Sequence, residues 1–157
     1  MAIGALVAGS GCTADDGEGS DGACGPVQRE ALDPAYLVHV LPSDEDVTYL
    51  SDPPTSGPHQ PGPEVDGAVD DPIPRPVQVG ILERGDVLIQ YDPDALETEE
   101  VGKLEELAGE AVVVAPAPGL PEPAVATAWV FSQRCHDVDV DALRSFVDER
   151  AGHGPEG

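Results

Sequence analysis

The sequence predicts a mixed α/β (α+β) domain, a two-layer sandwich with the core order strand, helix, strand, strand, helix. Residues 87–91, 111–115 and 124–131 are short apolar runs rich in β-branched residues, which is typical of buried strands. Apolar residues recur at helical spacing after the first run and again near the C-terminus. Residues 51–80 are dominated by Pro, Gly and Asp, so an irregular region is expected before this core.

The first predicted helix follows the strand at residues 87–91. Asp94 can cap its start, and Glu97, three residues on, completes a pattern similar to a capping box. Gly109 is expected to end it. The apolar residues that share one face of this helix are Val101, Leu104, Leu107 and Ala108.

The second predicted helix lies near the C-terminus. Asp139 or Asp141 can cap its start, Phe146 anchors its apolar stripe, and Gly152 follows its end. Alternating acids such as these could also form a calcium cluster, but capping is the more common role of acids before a helix.

The order of these elements constrains their topology. The strand-helix-strand connection should be right-handed, which makes the first two strands parallel and lets the third return antiparallel. Both helices are then expected on one face of the sheet. This order is similar to part of a thioredoxin-like fold, although the chain has no Cys-x-x-Cys pair. Two further short strands are expected earlier, at residues 37–40 and 47–50.

The chain carries an extreme negative charge. It has 31 acidic residues against 7 basic ones, for a formal net charge of −24. Binding to nucleic acid needs a basic surface, so nucleic acid is excluded as a partner, and docking on anionic lipid by charge is equally disfavoured. The acidity indicates either a solvated surface, as in proteins adapted to salt, or a surface that gathers cations. Charge alone leaves both interpretations open.

The N-terminus is similar to a bacterial lipoprotein signal. Residues 2–11 are small or apolar, Cys12 follows, and residues 13–23 are abruptly polar and acidic. We therefore predict a signal peptide over residues 1–12, a lipid on Cys12, a flexible acidic tether over residues 13–35, and one globular domain over residues 36–156. The expected location is the outer face of the cell membrane, with the lipid as anchor.

This leader departs from the usual signal in two respects. No basic residue precedes the apolar run, and Gly9 stands where a lipobox usually has an aliphatic residue. Both departures indicate that Met1 lies inside a longer signal. The alternative is a frayed tail with an incidental cysteine.

Three cysteines are present, and an odd number in an exported protein needs an explanation. If Cys12 carries lipid, Cys24 and Cys135 form the one disulfide that remains within the chain. Export makes their oxidation plausible. The alternatives are two separate thiols or two thiolate ligands.

The most distinctive segment is residues 53–59, Pro-Pro-Thr-Ser-Gly-Pro-His. Its prolines restrict the backbone, so the loop should hold His59 at a fixed place. The imidazole could be a metal ligand or a binding contact, or it could simply pack locally.

This loop and several other segments of the chain resemble a known protein family. Over about residues 37–156 the chain resembles the bacterial, mainly actinobacterial, domain-of-unknown-function family 3105, and the resemblance supplies no activity. The residues that carry it are 53–59, 82–85 (Leu-Glu-Arg-Gly), 87–91, 112–116, 118–120, 127–129 (Thr-Ala-Trp), Phe146 and 154–156.

The resemblance also implies a degenerate metal site. Members of the family usually have His-x-Leu-Glu-His-Gly before the central strand, and imidazoles of that kind suit copper or zinc. In this chain Gly80 and Arg84 stand at the two histidine positions, so only His59 and Glu83 remain. A copper or zinc site is therefore expected to be lost or weakened, with Arg84 paired to Glu83 or Asp86.

Three functions remain in competition. The first is a membrane-anchored, non-enzymatic binding protein that uses residues 53–85 to bind an envelope protein or a metal ion. The second is an extracytoplasmic enzyme that uses Glu83 and His59. The third is a structural envelope protein. A cleft joining His59 and Glu83 would favour the enzyme or the metal site, and a flat apolar patch would favour a protein partner. The sequence contains no nucleophile motif, phosphate loop or dinucleotide fingerprint.

Overall fold

The computed structural model describes residue 1, residues 22–44 and residues 46–156. Cys12, the predicted lipid attachment site, lies outside the described residues, as does the first part of the predicted tether. Within the described part of the chain, no helix combines the length and the apolar character needed to cross a membrane.

Over the described residues the fold is a five-stranded mixed sheet with three helices, so the predicted α+β class is confirmed. The spatial strand order is β1-β5-β4-β2-β3. β2 pairs parallel with β3 and antiparallel with β4, as predicted, and β4 pairs antiparallel with β5. In chain order the elements are β1 (Gln28–Arg29), α1 (Arg75–Glu83), β2 (Val87–Tyr91), α2 (Thr98–Glu105), β3 (Val112–Pro116), β4 (Ala124–Ala128), β5 (Phe131–Cys135) and α3 (Val140–Arg150).

Apolar side chains cover both faces of the sheet. Leu104 of α2 and Leu143 and Phe146 of α3 pack together on one face, as the sequence predicts for these two helices. On the opposite face, Ile81 and Leu82 of α1 pack against apolar residues of β2 and β3. Helix α1 therefore adds a layer to the predicted sandwich.

Helix α1 lies partly in the region predicted to be irregular, so that prediction is wrong from residue 75 onward. Pro74 is the N-cap and Pro76 lies in the first turn. Proline is tolerated there because the first turn of a helix has no intrahelical acceptor for its N–H groups. The proline count hid the apolar spacing of Val77, Ile81 and Leu82 that buries this helix.

The strands predicted at residues 37–40 and 47–50 do not form, so that prediction is also wrong. Val40 donates its N–H to the His59 carbonyl at 2.9 Å, and the His59 N–H donates to the Val38 carbonyl at 3.0 Å. One isolated bridge, between His39 and His59, results. The backbone groups of the first segment are thus satisfied by the proline-rich loop.

The apolar run at residues 124–131 divides into a strand and a turn. β4 ends at Ala128, Trp129 and Val130 make the turn, and Ala128 pairs with Phe131 at the start of β5. β5 escaped prediction because it is polar. Two of its side chains bond to residues near the N-terminus: Ser132 Oγ donates to Glu30 at 2.6 Å, and the Gln133 amide nitrogen donates to the Gly25 carbonyl at 3.0 Å.

The structure shows which residues cap the starts of α2 and α3. Helix α2 begins at Thr98 with Glu97 as its N-cap rather than at Asp94, and the Glu97 N–H donates to the Glu100 carboxylate at 2.8 Å. Of the two alternatives for α3, Asp139 is the cap, because its carboxylate accepts from the Ala142 N–H at 3.0 Å.

The predicted disulfide between Cys24 and Cys135 is present. It joins the N-terminal segment to the end of β5, where the Gly25 N–H also donates to the Arg134 carbonyl at 2.8 Å. The bridge therefore fastens a segment that contributes little regular structure of its own to the edge of the sheet.

Candidate functional site

The structure brings His59 and Glu83 together. Nε2 of His59 lies 2.6 Å from Oε2 of Glu83, and the histidine side chain is fully buried. Nδ1 lies 3.0 Å from the Gly57 carbonyl oxygen, which can only accept, so Nδ1 carries a proton. Nε2 makes no hydrogen bond of good geometry within the described residues, so its 2.6 Å approach to Oε2 is a close contact between the imidazole and the carboxyl group and not a linear hydrogen bond.

The proline-rich loop that carries His59 is held by contacts from several segments. The Tyr49 hydroxyl donates to the Pro58 carbonyl at 2.9 Å, the Val130 N–H donates to the Thr55 carbonyl at 3.0 Å, and the Gln60 N–H donates to the Pro76 carbonyl at 3.0 Å. The loop is therefore held by Tyr49 in the segment before it, by the β4–β5 turn and by α1. A fixed position for His59 stays a prediction, and these contacts support it.

The surroundings of Tyr49 raise the pKa of its hydroxyl group. Burial raises the pKa of Tyr49 to about 12, the charge of Arg75 opposes this rise, and the Asp33 carboxylate adds to it. Because the folded-state pKa lies above the unfolded value near 10, the contribution of Tyr49 to stability is complete below pH 10 and is lost as pH rises toward 12.

We therefore expect one tyrosine to ionise near pH 12 in a spectrophotometric titration, and this step to be absent in Tyr49→Phe. A wild-type titration that Tyr49→Phe leaves unchanged in that range would contradict the assignment.

Arg84 pairs with Asp86 and not with Glu83, which decides between the two predicted partners. Its Nε donates to Asp86 Oδ2 at 2.8 Å. The same guanidinium donates to the carbonyl oxygens of Pro63 at 2.6 Å and Val65 at 2.8 Å. Arg84 thus fastens the irregular segment to the end of α1, which is a structural role.

Gly80 shows why a histidine at that position does not fit this chain. A Cβ atom built on Gly80 would overlap the Gln60 carbonyl oxygen and lie 3.0 Å from Cδ of Pro63. Among the described residues, no group of three or more His, Cys, Asp or Glu side chains is placed to hold a metal ion. His59 and Glu83 remain two potential ligands without a third, and the loss of a copper or zinc site stays a prediction.

Three cavities among the described residues lie elsewhere, with volumes of about 270, 430 and 370 Å³, and neither His59 nor Glu83 lines any of these three. The 270 Å³ cavity, which we call the glutamine cleft, lies between the start of α1 and the loop that follows β3. Its lining residues are Asp52, Pro53, Pro72, Ile73, Arg75, Gln78, Gln90, Pro116, Ala117, Pro118, Gly119, Leu120 and Pro121.

Sequence reasoning missed Gln78 and Gln90. Both side chains are buried, and both Oε1 atoms lack a hydrogen-bond partner. A signal was present, because Gln90 is the one strongly polar residue in the run Val-Leu-Ile-Gln-Tyr of β2. A polar side chain in the middle of a buried strand needs a hydrogen-bond partner, and this requirement identifies Gln90 as a candidate functional residue.

Comparison with models of known protein families shows to which family the chain belongs. A family model described as "Protein of unknown function (DUF3105)" matches residues 39–157. The chain belongs to this family. The match covers the proline-rich loop, all three helices and β2 to β5 of this DUF3105 domain. No curated protein and no solved structure matches the chain.

Proposed function

We propose that this DUF3105 domain is an extracytoplasmic binding domain attached to a membrane by a lipid on Cys12. The disulfide between Cys24 and Cys135 supports the compartment, because such bonds persist in oxidising surroundings and are rare in the cytosol. The apolar run at residues 2–11 followed by Cys12 supports the anchor.

The observation that carries the binding role is the glutamine cleft. A buried acceptor without a partner destabilises a fold by about 1–3 kcal/mol, and most buried polar groups therefore have partners. Gln78 and Gln90 both line this cavity, and each has a buried side-chain oxygen without a hydrogen-bond partner among the described residues. Small molecules usually bind in concave sites to which a few polar groups converge.

Catalysis by His59 and Glu83 has less support. A general acid or base must reach the proton that it transfers, and this pair is buried outside the three cavities. The contact instead joins the proline-rich loop to α1. An envelope protein partner remains a further proposal, for which the exposed side chains of Leu37, Leu41 and Leu50 are the available apolar contacts.

The anchor is tested by expressing the protein from its own gene, with the upstream region, in cells fed a labelled fatty acid. Wild type and Cys24→Ala should both incorporate the label and sediment with membranes, whereas Cys12→Ser should do neither, because only Cys12 can accept the lipid. Wild-type protein found unlabelled in the cytosol, with Cys24 and Cys135 reduced, would contradict both the anchor and the compartment.

A further inference from the structure

We propose that two adjoining cavities beside residues 72–74 (Pro-Ile-Pro) bind an extended peptide in which apolar residues alternate with lysine or arginine. We call residues 72–74 the proline rib. The inference goes beyond the proposed function, because neither of these cavities is the glutamine cleft.

The two cavities share the proline rib as a wall. The cavity of about 430 Å³, which we call the tyrosine cavity, is lined by Val47, Tyr49 and the start of α1. The cavity of about 370 Å³, which we call the valine cavity, is lined by Val65, Val69 and Val77. All three rib residues line both cavities, so the two adjoin there. Pockets that take alternate side chains are a usual means of recognising an extended peptide.

Hydrogen bonds hold the rib and the wall of the valine cavity in place. The Ile73 carbonyl accepts from Nε2 of Gln78 at 2.7 Å, and the Pro74 carbonyl accepts from the Gln78 N–H at 3.0 Å. The Val69 N–H donates to the Val114 carbonyl of β3 at 2.9 Å. The fixed φ of the two prolines restricts the rib further. A surface that is already formed loses less conformational entropy when a peptide binds.

The charged side chains around the two cavities favour a basic partner. Asp44 lines the tyrosine cavity, Glu64 and Asp71 line the valine cavity, and all three are exposed. Within the described part of the chain, neither Glu64 nor Asp71 makes an ion pair. Arg75 is the basic residue in these linings, and it pairs with Asp52. The lining is otherwise mostly apolar, so lysine or arginine next to an apolar residue complements it.

The rest of the molecule reinforces this choice of partner. The net charge of −24 attracts cationic chains and repels acidic ones. A second copy of the chain would bring the same carboxylates to the interface, and like charges placed opposite each other oppose association. A basic, partly apolar peptide is therefore the occupant that this surface fits.

The test is a calorimetric titration of the full chain at low salt, with methyl NMR to locate the site. The main probe is the end-blocked peptide Lys-Leu-Lys-Leu-Lys-Leu-Lys. We expect it to bind and to shift the methyl signals of Val65, Val69 and Ile73, and to leave those of Val147, on the opposite face of the sheet, unchanged.

Three further probes separate charge from apolar contact. The peptide with serine in place of leucine should bind about tenfold more weakly or worse, because no leucine side chain is buried. The peptide with glutamate in place of lysine should not bind, because its charge has the same sign as that of the rim. The small cation n-butylammonium should bind far more weakly than the main peptide, because it reaches one cavity at a time.

Two double variants with equal charge changes locate the contact. Glu64→Gln with Asp71→Asn should weaken binding of the main peptide roughly three- to tenfold, because two exposed ion pairs are lost. Glu105→Gln with Glu106→Gln is the matched control, because both residues are exposed and lie on or next to α2, on the other face of the sheet. Its affinity should stay within about twofold of wild type.

Each contrary result overturns the proposal in its own way. Equal binding of the serine peptide, or an equal loss in both double variants, would show that charge alone attracts the peptide. Shifts confined to methyl groups outside the two cavities would place the peptide on another surface, and equally tight binding of n-butylammonium would make the occupant a small cation. Binding of no probe would leave the rib without a ligand role. None of these results affects the lipid anchor or the compartment, which the labelling experiment tests separately.

Discussion

Replacing Cys24 and Cys135 together with alanine is expected to lower the free energy of unfolding by about 4 kcal/mol. The disulfide spans 111 residues of sequence, and a cross-link that closes so long a loop removes much of the conformational entropy of the unfolded chain. The N-terminal segment depends on this link, because β1 contributes a pairing of only two residues to the sheet. For a domain of this size the melting temperature should fall by roughly 10 °C.

Urea unfolding of the wild type and of the double variant measures this loss. The matched control is a reductant, which should destabilise the wild type by a similar amount and leave the double variant unaffected. A wild-type protein whose midpoint is insensitive to reductant would show that the bridge is absent in solution or contributes nothing to stability. Using the double variant avoids leaving one unpaired thiol that could form intermolecular bridges.

The second large effect concerns a glycine at which the helix propensity and the packing predict opposite signs. Gly80→Ala lies within α1, where alanine is normally favoured over glycine by about 1 kcal/mol. The new Cβ, however, would overlap the Gln60 carbonyl oxygen, and a backbone atom cannot move aside as a flexible side chain can. Overpacking costs about 1–3 kcal/mol, and an overlap with the backbone belongs at the upper end of that range. After the helix-propensity gain of about 1 kcal/mol is subtracted, we expect a net loss of stability of roughly 2 kcal/mol.

Gly102→Ala is the matched control for this prediction. Gly102 lies within α2, and a Cβ built there meets no atom within 4 Å. The same substitution should therefore stabilise the protein by about 0.5–1 kcal/mol. Thermal unfolding of both variants should show shifts of opposite sign. If Gly80→Ala stabilises the protein as much as Gly102→Ala does, the close approach of the Gln60 backbone to α1 is wrong.

A loss at Gly80 would also bear on the candidate metal site. The family resemblance places a histidine at this position in other members, and this chain packs the backbone of its proline-rich segment into the space that such a side chain would need. Together with the pairing of Arg84 to Asp86, this packing makes the region around His59 and Glu83 a junction between the proline-rich loop and α1.

Local sequence patterns were sufficient to predict much of the core and one pairing. The apolar runs of β2 and β3, the amphipathic spacing of α2 and α3 and the link between Cys24 and Cys135 are all present in the structure. These features depend on periodicity within one element, or on how few cysteines were available, so a single sequence carries the information. The family assignment likewise depended on local motifs.

The tertiary structure alone decided the features that depend on contacts between distant segments. β5 is polar, and it is a strand because its backbone pairs with β4 while its Ser132 and Gln133 side chains bond to Glu30 and Gly25. The partner of Arg84 and the overlap at Gly80 depend on how the irregular segment folds over α1. Gln78 and Gln90 share one cleft only because α1 crosses the second face of the sheet, and no spacing along the chain encodes that crossing.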